Sequence, residues 1–167
     1  MRLVSFVTAA ASAAAIVAFA HAASAQGQVI PYGPPINIET AKRAMAAAEA
    51  EAKKNNWPVA IAILDSGGHM VLFHRMDNTQ IGAIELADGK ARTAWKLRRP
   101  TKVLQDGIEK GGVNLRWLGV QSMQGLTPLE GGLLIVADGK IIGAIGVSGV
   151  ASDQDAVVAK AGADAVK

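Results

Sequence analysis

Between Gly131 and Gly149 the chain reads Gly-Gly-Leu-Leu-Ile-Val-Ala-Asp-Gly-Lys-Ile-Ile-Gly-Ala-Ile-Gly-Val-Ser-Gly. Two apolar runs flank Asp138-Gly139, the dipeptide best suited to a tight turn between antiparallel strands. Gly143, Gly146 and Gly149 punctuate the second strand and its exit. Glycine weakens a strand interior, so its recurrence implies that something approaches this backbone closely. Ser152-Asp153-Gln154-Asp155 then supplies a cap for a terminal helix over residues 152–166, with Asp153 and Asp155 read as charges favourable to its N-terminus.

An earlier segment has the same character. Residues 59–64 form an apolar run of strand length begun by Pro58. Asp65-Ser66-Gly67-Gly68 is a turn, and residues 69–75 make a second strand. One helix precedes this hairpin and two separate it from the later one. Asn37 caps the first, whose stripe of Ile38, Ala41, Met45, Ala48 and Ala52 recurs every three or four residues and ends at Asn55-Asn56. After a loop over residues 76–82, a helix over residues 83–97 turns Ile84, Ala87, Ala91, Ala94 and Trp95 inward until Pro100 breaks it. Residues 101–109 form a short helix on Val103, Leu104 and Ile108, ended by Gly111-Gly112. Residues 113–128 show no period and read as loop. Hairpins rather than βαβ crossovers predict an α+β fold, an antiparallel sheet with helices packed on it.

The N-terminus is of another kind. Arg2 precedes a run of apolar and small residues, and Ala23-Ser24-Ala25 supplies an A-x-A cleavage site. Residues 1–25 therefore read as a secretory signal peptide, with Gln26 first in the mature chain, no membrane span after cleavage, and a periplasmic or secreted location. Residues 26–36, with Pro31, Gly33, Pro34 and Pro35, read as a loosely held extended leader. Residues 37–167 make a single domain.

Composition removes several classes of function. The formal charge is only +3, aromatics are 4%, and the basic residues are scattered, which argues against nucleic acid. With no cysteine, the chain has no thiolate zinc site, iron–sulfur cluster or covalently attached haem. Gly146-Val147-Ser148-Gly149 lacks the G-x-S-x-G pattern of a nucleophile elbow.

Several segments carry a likeness. They are Ala60-Ile61-Ala62-Ile63-Leu64-Asp65-Ser66-Gly67-Gly68-His69, Phe73-His74-Arg75-Met76-Asp77, Lys90-Ala91-Arg92-Thr93-Ala94, and Ile142-Gly143-Ala144-Ile145-Gly146-Val147-Ser148-Gly149. Gln154-Asp155 and Ala161-Gly162 follow. In this order and at these separations the chain resembles the GlcG/HbpS-like haem-binding family, a related domain of which is fused to PduO-type corrinoid adenosyltransferases. The resemblance implies a profilin-like or roadblock-like sandwich, haem as partner, assembly into dimers or larger even-numbered oligomers, and in some members haem degradation.

Haem b would take an imidazole ligand, and the mature chain offers His69 and His74. Their odd separation places them on opposite sheet faces of a regular strand, so at most one would serve a given site, His74 first. Arg75, Lys90 or Arg92 could meet propionates, although Arg75 and Asp77 could equally pair together. In the family the loop at residues 122–132 looks like haem-contacting surface, which makes Thr127 a second candidate near the iron. Met45 and Met70 read as core, while Met123 is the methionine kept as a possible ligand. Three functional readings remain open: an exported haem protein with its site at a subunit junction, storing, buffering or slowly degrading haem; an oligomeric scaffold without haem; and a sensor or enzyme for a small organic acid.

Overall fold

A computed structural model describes residues 29–122 and 125–166. The expected cleavage site, residues 23–25, and Met123 lie outside the described residues. The elements in order are α1 (Ile38–Lys54), β1 (Ala60–Asp65), β2 (Met70–Arg75), α2 (Ala83–Leu97), α3 (Lys102–Lys110), β3 (Gly132–Ala137), β4 (Lys140–Ser148) and α4 (Ser152–Asp164). The four strands form one antiparallel sheet in the order β2-β1-β4-β3. The two hairpins thus lie side by side, joined through β1 and β4, and the fold is α+β as expected.

The sequence signals act locally as the physics requires. The Asn37 side chain accepts a hydrogen bond from the Thr40 N–H at 2.8 Å and starts α1. Asp138 and Gly139 both adopt positive φ, 50° and 69°, as a two-residue turn matched to strand twist demands.

Two different packings cover the sheet. On one face Ile61, Ile63, Ile135, Ile145 and Val147 bury against α1 and α4. On the other, Ala60, Ala62 and Leu64 bury against Ala83, Ala87 and Ala91 of α2. Here the glycine pattern of β4 finds its cause. A Cβ on Gly146 would stand 2.5 Å from the Ala91 backbone nitrogen and would also overlap the Ala87 carbonyl, so α2 lies directly on the strand.

Lys90 and Asp155 join the two layers. Lys90 projects from α2 and Asp155 from α4, each residue 1% exposed, and Nζ meets Oδ2 at 2.7 Å. The second Asp155 oxygen accepts the Val150 N–H at 3.2 Å. Gly131, just before β3, leaves room for the pair, since a Cβ there would lie 3.0 Å from Nζ.

Four expectations need correction. The leader is not loose: Gly33 and Ile36 donate to the carbonyls of Ile141 and Ile142, Ile141 donates to Pro31, and Ile36 is buried. These bonds extend the sheet along β4 beyond the end of β1. Residues Gly112–Ser122 form a 3₁₀ stretch rather than loop; such a helix needs no apolar period when it lies on the surface. Met70 is 39% exposed, not core. In α2, Ile84 and Trp95 are only half-buried and Lys90 takes an inward position. Asp153 and Asp155 do lie in the first turn of α4 as expected, and Asp155 is in addition a buried ion-pair partner.

Candidate functional site

β2 carries His74 opposite Ile61, on the face covered by α1. The imidazole is 40% exposed, and its Nε2 stands 3.8 Å from Glu49 Oε1 on α1. Glu49 pairs in turn with Lys53, one helical turn on, at 2.5 Å. The hydrogen bond from Lys53 is the main influence holding the Glu49 carboxyl below its ordinary range; burial opposes it, and His74 and the Lys53 charge add to it. Beyond these groups the chain leaves α1 through Trp57 and leaves β2 through Arg75 and Met76. Together they line a cavity of about 490 Å³. A smaller hollow of about 270 Å³ lies on the other flank of Glu49 and His74, against Met45 and Phe73.

The arrangement has a definite chemical character. At 3.8 Å the histidine–glutamate approach exceeds a hydrogen bond, so Nε2 is not committed to Glu49. Trp57 and Met76 supply an apolar wall, and Lys53 and Arg75 supply cations at the rim. Arg75 and Asp77 both line the cavity, and no ion pair joins them among the described residues.

His69 lies elsewhere. It precedes β2 in the turn, its side chain is 83% exposed, and its Nδ1 is 3.4 Å from Asp65 Oδ1. The same oxygen accepts the N–H groups of Gly67 and His69. The face-alternation argument for the two histidines does not hold as stated. A bulge between Ile63 and Leu64 makes the register skip Val71, so alternation along β2 is broken. The histidines are kept apart by position instead, one at the turn and one beside α1.

Thr127 sits against α2, on the far side of the sheet from His74. Its N–H donates to Thr93 Oγ1 at 2.6 Å, and Thr93 donates to the Gly89 carbonyl at 2.7 Å. The absent side chain of Gly89 makes room for the threonine. Arg92, nearby, is held by Asp88 at 2.7 Å and reaches the Gly68 carbonyl at 3.3 Å. Lys90 cannot meet a propionate: it is enclosed and paired. Burial pushes its ammonium pKa down and the Asp155 carboxyl pKa up, while each partner's charge opposes that shift.

The candidate residues therefore fall in three places, with His74 and Arg75 beside α1, His69 in the β1–β2 turn, and Thr127 against α2. Sequence reasoning did not anticipate Glu49, Lys53 or Trp57. The signal was a glutamate and lysine four apart, beside the alanine stripe of α1. Among the described residues no group of three or more His, Cys, Asp or Glu could hold a metal ion, and no helix is long and apolar enough to cross a membrane.

The model of the family described as haem degrading protein HbpS-like matches residues 36–164, from the buried Ile36 to the end of α4. The chain belongs to the HbpS-like family. Protein GlcG of Escherichia coli strain K12 is 44% identical over 113 residues, covering 68% of this chain and 81% of that protein. A solved HbpS superposes with a TM-score of 0.72 at 28% identity, over 86% of this chain and 99% of the other. A PduOC:haem complex gives 0.72 at 27% identity, over 80% and 96%. That PduOC structure was solved with haem bound.

Proposed function

We propose that this HbpS-like chain binds haem b in the cavity between α1 and β2, with His74 as the nitrogen ligand. The observation that carries the reading is a half-exposed imidazole, its Nε2 without a hydrogen bond among the described residues, in a 490 Å³ cavity with one apolar wall and two rim cations. Trp57 and Met76 would lie along the macrocycle. Lys53 and Arg75 would meet the propionates, Arg75 by a planar two-point contact. Haem supplies redox and ligand-binding chemistry at its iron when bound. The family description and the PduOC:haem relative support haem as the ligand class.

The cavity is wide at its mouth, which suits a protein that buffers or stores haem and gives it up again. A second copy of the chain would close that mouth, so the reading includes a dimer or larger even-numbered assembly. It also includes export, with residues 1–25 removed as a signal peptide and the mature protein periplasmic or secreted.

Titration of the purified protein with haem, read by the Soret band, tests the assignment. His74→Ala shifts the band and weakens binding by tenfold or more, as loss of an iron ligand requires, while His69→Ala leaves both unchanged. Thr127→Val is the competing variant, on the opposite face of the sheet. An unchanged spectrum in His74→Ala with loss in Thr127→Val moves the site to α2 and overturns the proposal.

A further inference from the structure

The end of α2 holds a second cleft, of about 550 Å³, that shares no lining residue with the cavity at His74. Val29, Leu97 and Val103 form its apolar part, and Lys96, Arg98 and Arg99 its charged part. Val29 and Val103 are exposed, apolar surface left to solvent beside a run of cations.

The two arginines are held in an unusual way. Arg98 caps α2 in the left-handed region, φ 49° and ψ 43°, where glycine is the residue that fits without strain. Its guanidinium lies over the Tyr32 ring, 4.4 Å from the centroid. Tyr32 is itself fixed, donating its hydroxyl to the Trp95 carbonyl at 2.7 Å. Arg99 donates Nε–H to the Leu97 carbonyl at 3.1 Å and lies over Trp117 at 5.9 Å. Among the described residues neither arginine forms an ion pair. A guanidinium over an aromatic ring, with no acidic partner, still has N–H groups to offer, and those groups suit a carboxylate.

From these features we infer that the cleft binds a single-chain anionic amphiphile, a fatty-acid-like carboxylate, head on Arg98 and Arg99 and tail over Leu97, Val103 and Val29. A strained arginine where glycine would serve, two arginines without acidic partners among the described residues, and apolar surface beside them are all accounted for by this one ligand class. A small organic acid would leave the apolar part uncovered, and a neutral apolar molecule would leave the guanidiniums unused.

Calorimetric titration of the purified protein with dodecanoate, below its micelle concentration, tests the site. One dodecanoate binds per chain, while acetate and dodecyl maltoside, carrying head or tail alone, bind at least about tenfold more weakly. Arg98→Gly removes the guanidinium but suits the left-handed backbone, so its melting temperature does not fall while dodecanoate affinity drops about tenfold. Arg99→Gln and Val103→Asp weaken binding similarly. Equal affinity for dodecyl maltoside overturns the proposal, as does undiminished binding to the Arg98→Gly, Arg99→Gln double variant. Binding confined to phosphatidylglycerol vesicles, with none to monomeric dodecanoate, identifies a membrane-docking patch and also overturns it.

Discussion

Beneath α1 and α4 the sheet presents Ile61, Ile63, Ile145 and Val147; beneath α2 it presents Ala60, Ala62 and Gly146. The first face is filled by branched side chains, with small alanines on α1 meeting them. The second, Leu64 apart, has almost no side-chain thickness, and at Gly146 helix backbone rests on strand backbone. Losing volume hurts the first face and gaining volume hurts the second, because interiors are packed to the density of solids. The contrast also explains why β4 is rich in glycine but not uniformly so. Ile145 and Val147 point to one face while Gly146 lies beneath α2 on the other.

The largest effect should come from adding bulk to the thin face. Gly146→Val sets a branched side chain against the backbone of Ala87 and Ala91, and α2 cannot yield without leaving the sheet. We expect a loss above about 4 kcal/mol, enough to prevent folding, seen as absent cooperative unfolding by circular dichroism. A soluble variant with a wild-type melting curve would show that α2 floats on the sheet and would end the comparison.

Next is the ion pair that links the layers. Lys90→Met leaves the Asp155 carboxylate buried without its cation, a loss of about 3–5 kcal/mol at neutral pH. Burial already raises the Asp155 pKa and Lys90 opposes that shift, so removing Lys90 raises it further. The folded variant then takes up a proton at a pH where the unfolded carboxyl, near its ordinary value of 3.8, stays ionised. A pKa raised on folding favours the native state below the unfolded value, and that support is lost as pH rises through the folded value. The deficit of Lys90→Met relative to wild type should thus be smallest at about pH 4 and grow towards about pH 7. Urea midpoints measured across that range check it, and a deficit independent of pH would rule out the stranded carboxylate as its cause.

The smallest effect sharpens the thick face. Ile145→Val removes one methylene from a fully buried side chain and should cost about 1 kcal/mol, read from the urea midpoint. A cost as large as that of Gly146→Val would mean that both faces are equally unforgiving.

Much of this fold is legible in the chain because its signals are local. Asn37, Asp138-Gly139 and the alanine stripes each specify an element without reference to distant residues. The close approach at β4 is also legible, since repeated glycine in a strand has few other causes. The rest depends on partners far apart in sequence. Lys90 stands three residues after Ala87 and four before Ala94, on the inward stripe, but only the arrival of α4 explains how a lysine can be there. The bulge at Val71 is set by pairing rather than composition, and it undoes a simple count of alternation between His69 and His74. The candidate cavity was half visible: His74 and Arg75 stand out as residue types, whereas Glu49, Lys53 and Trp57 join them through the packing of α1 on β2.

The tie between residues 31–36 and β4 bears on the order in which this chain can reach its final form. Tyr32 and Ile141 pair from nearly opposite ends of the domain, and Ile36 donates to Ile142. Both hairpins close over short distances and can form early, but the backbone of the N-terminal segment has no hydrogen-bonding partner until the last hairpin exists. A chain delivered N-terminus first must therefore keep its opening segment waiting while nearly all the rest is made. Docking of residues 31–36 on β4 belongs to the final step of folding, and exchange protection of the Gly33 and Ile36 amides should report it as the slowest phase.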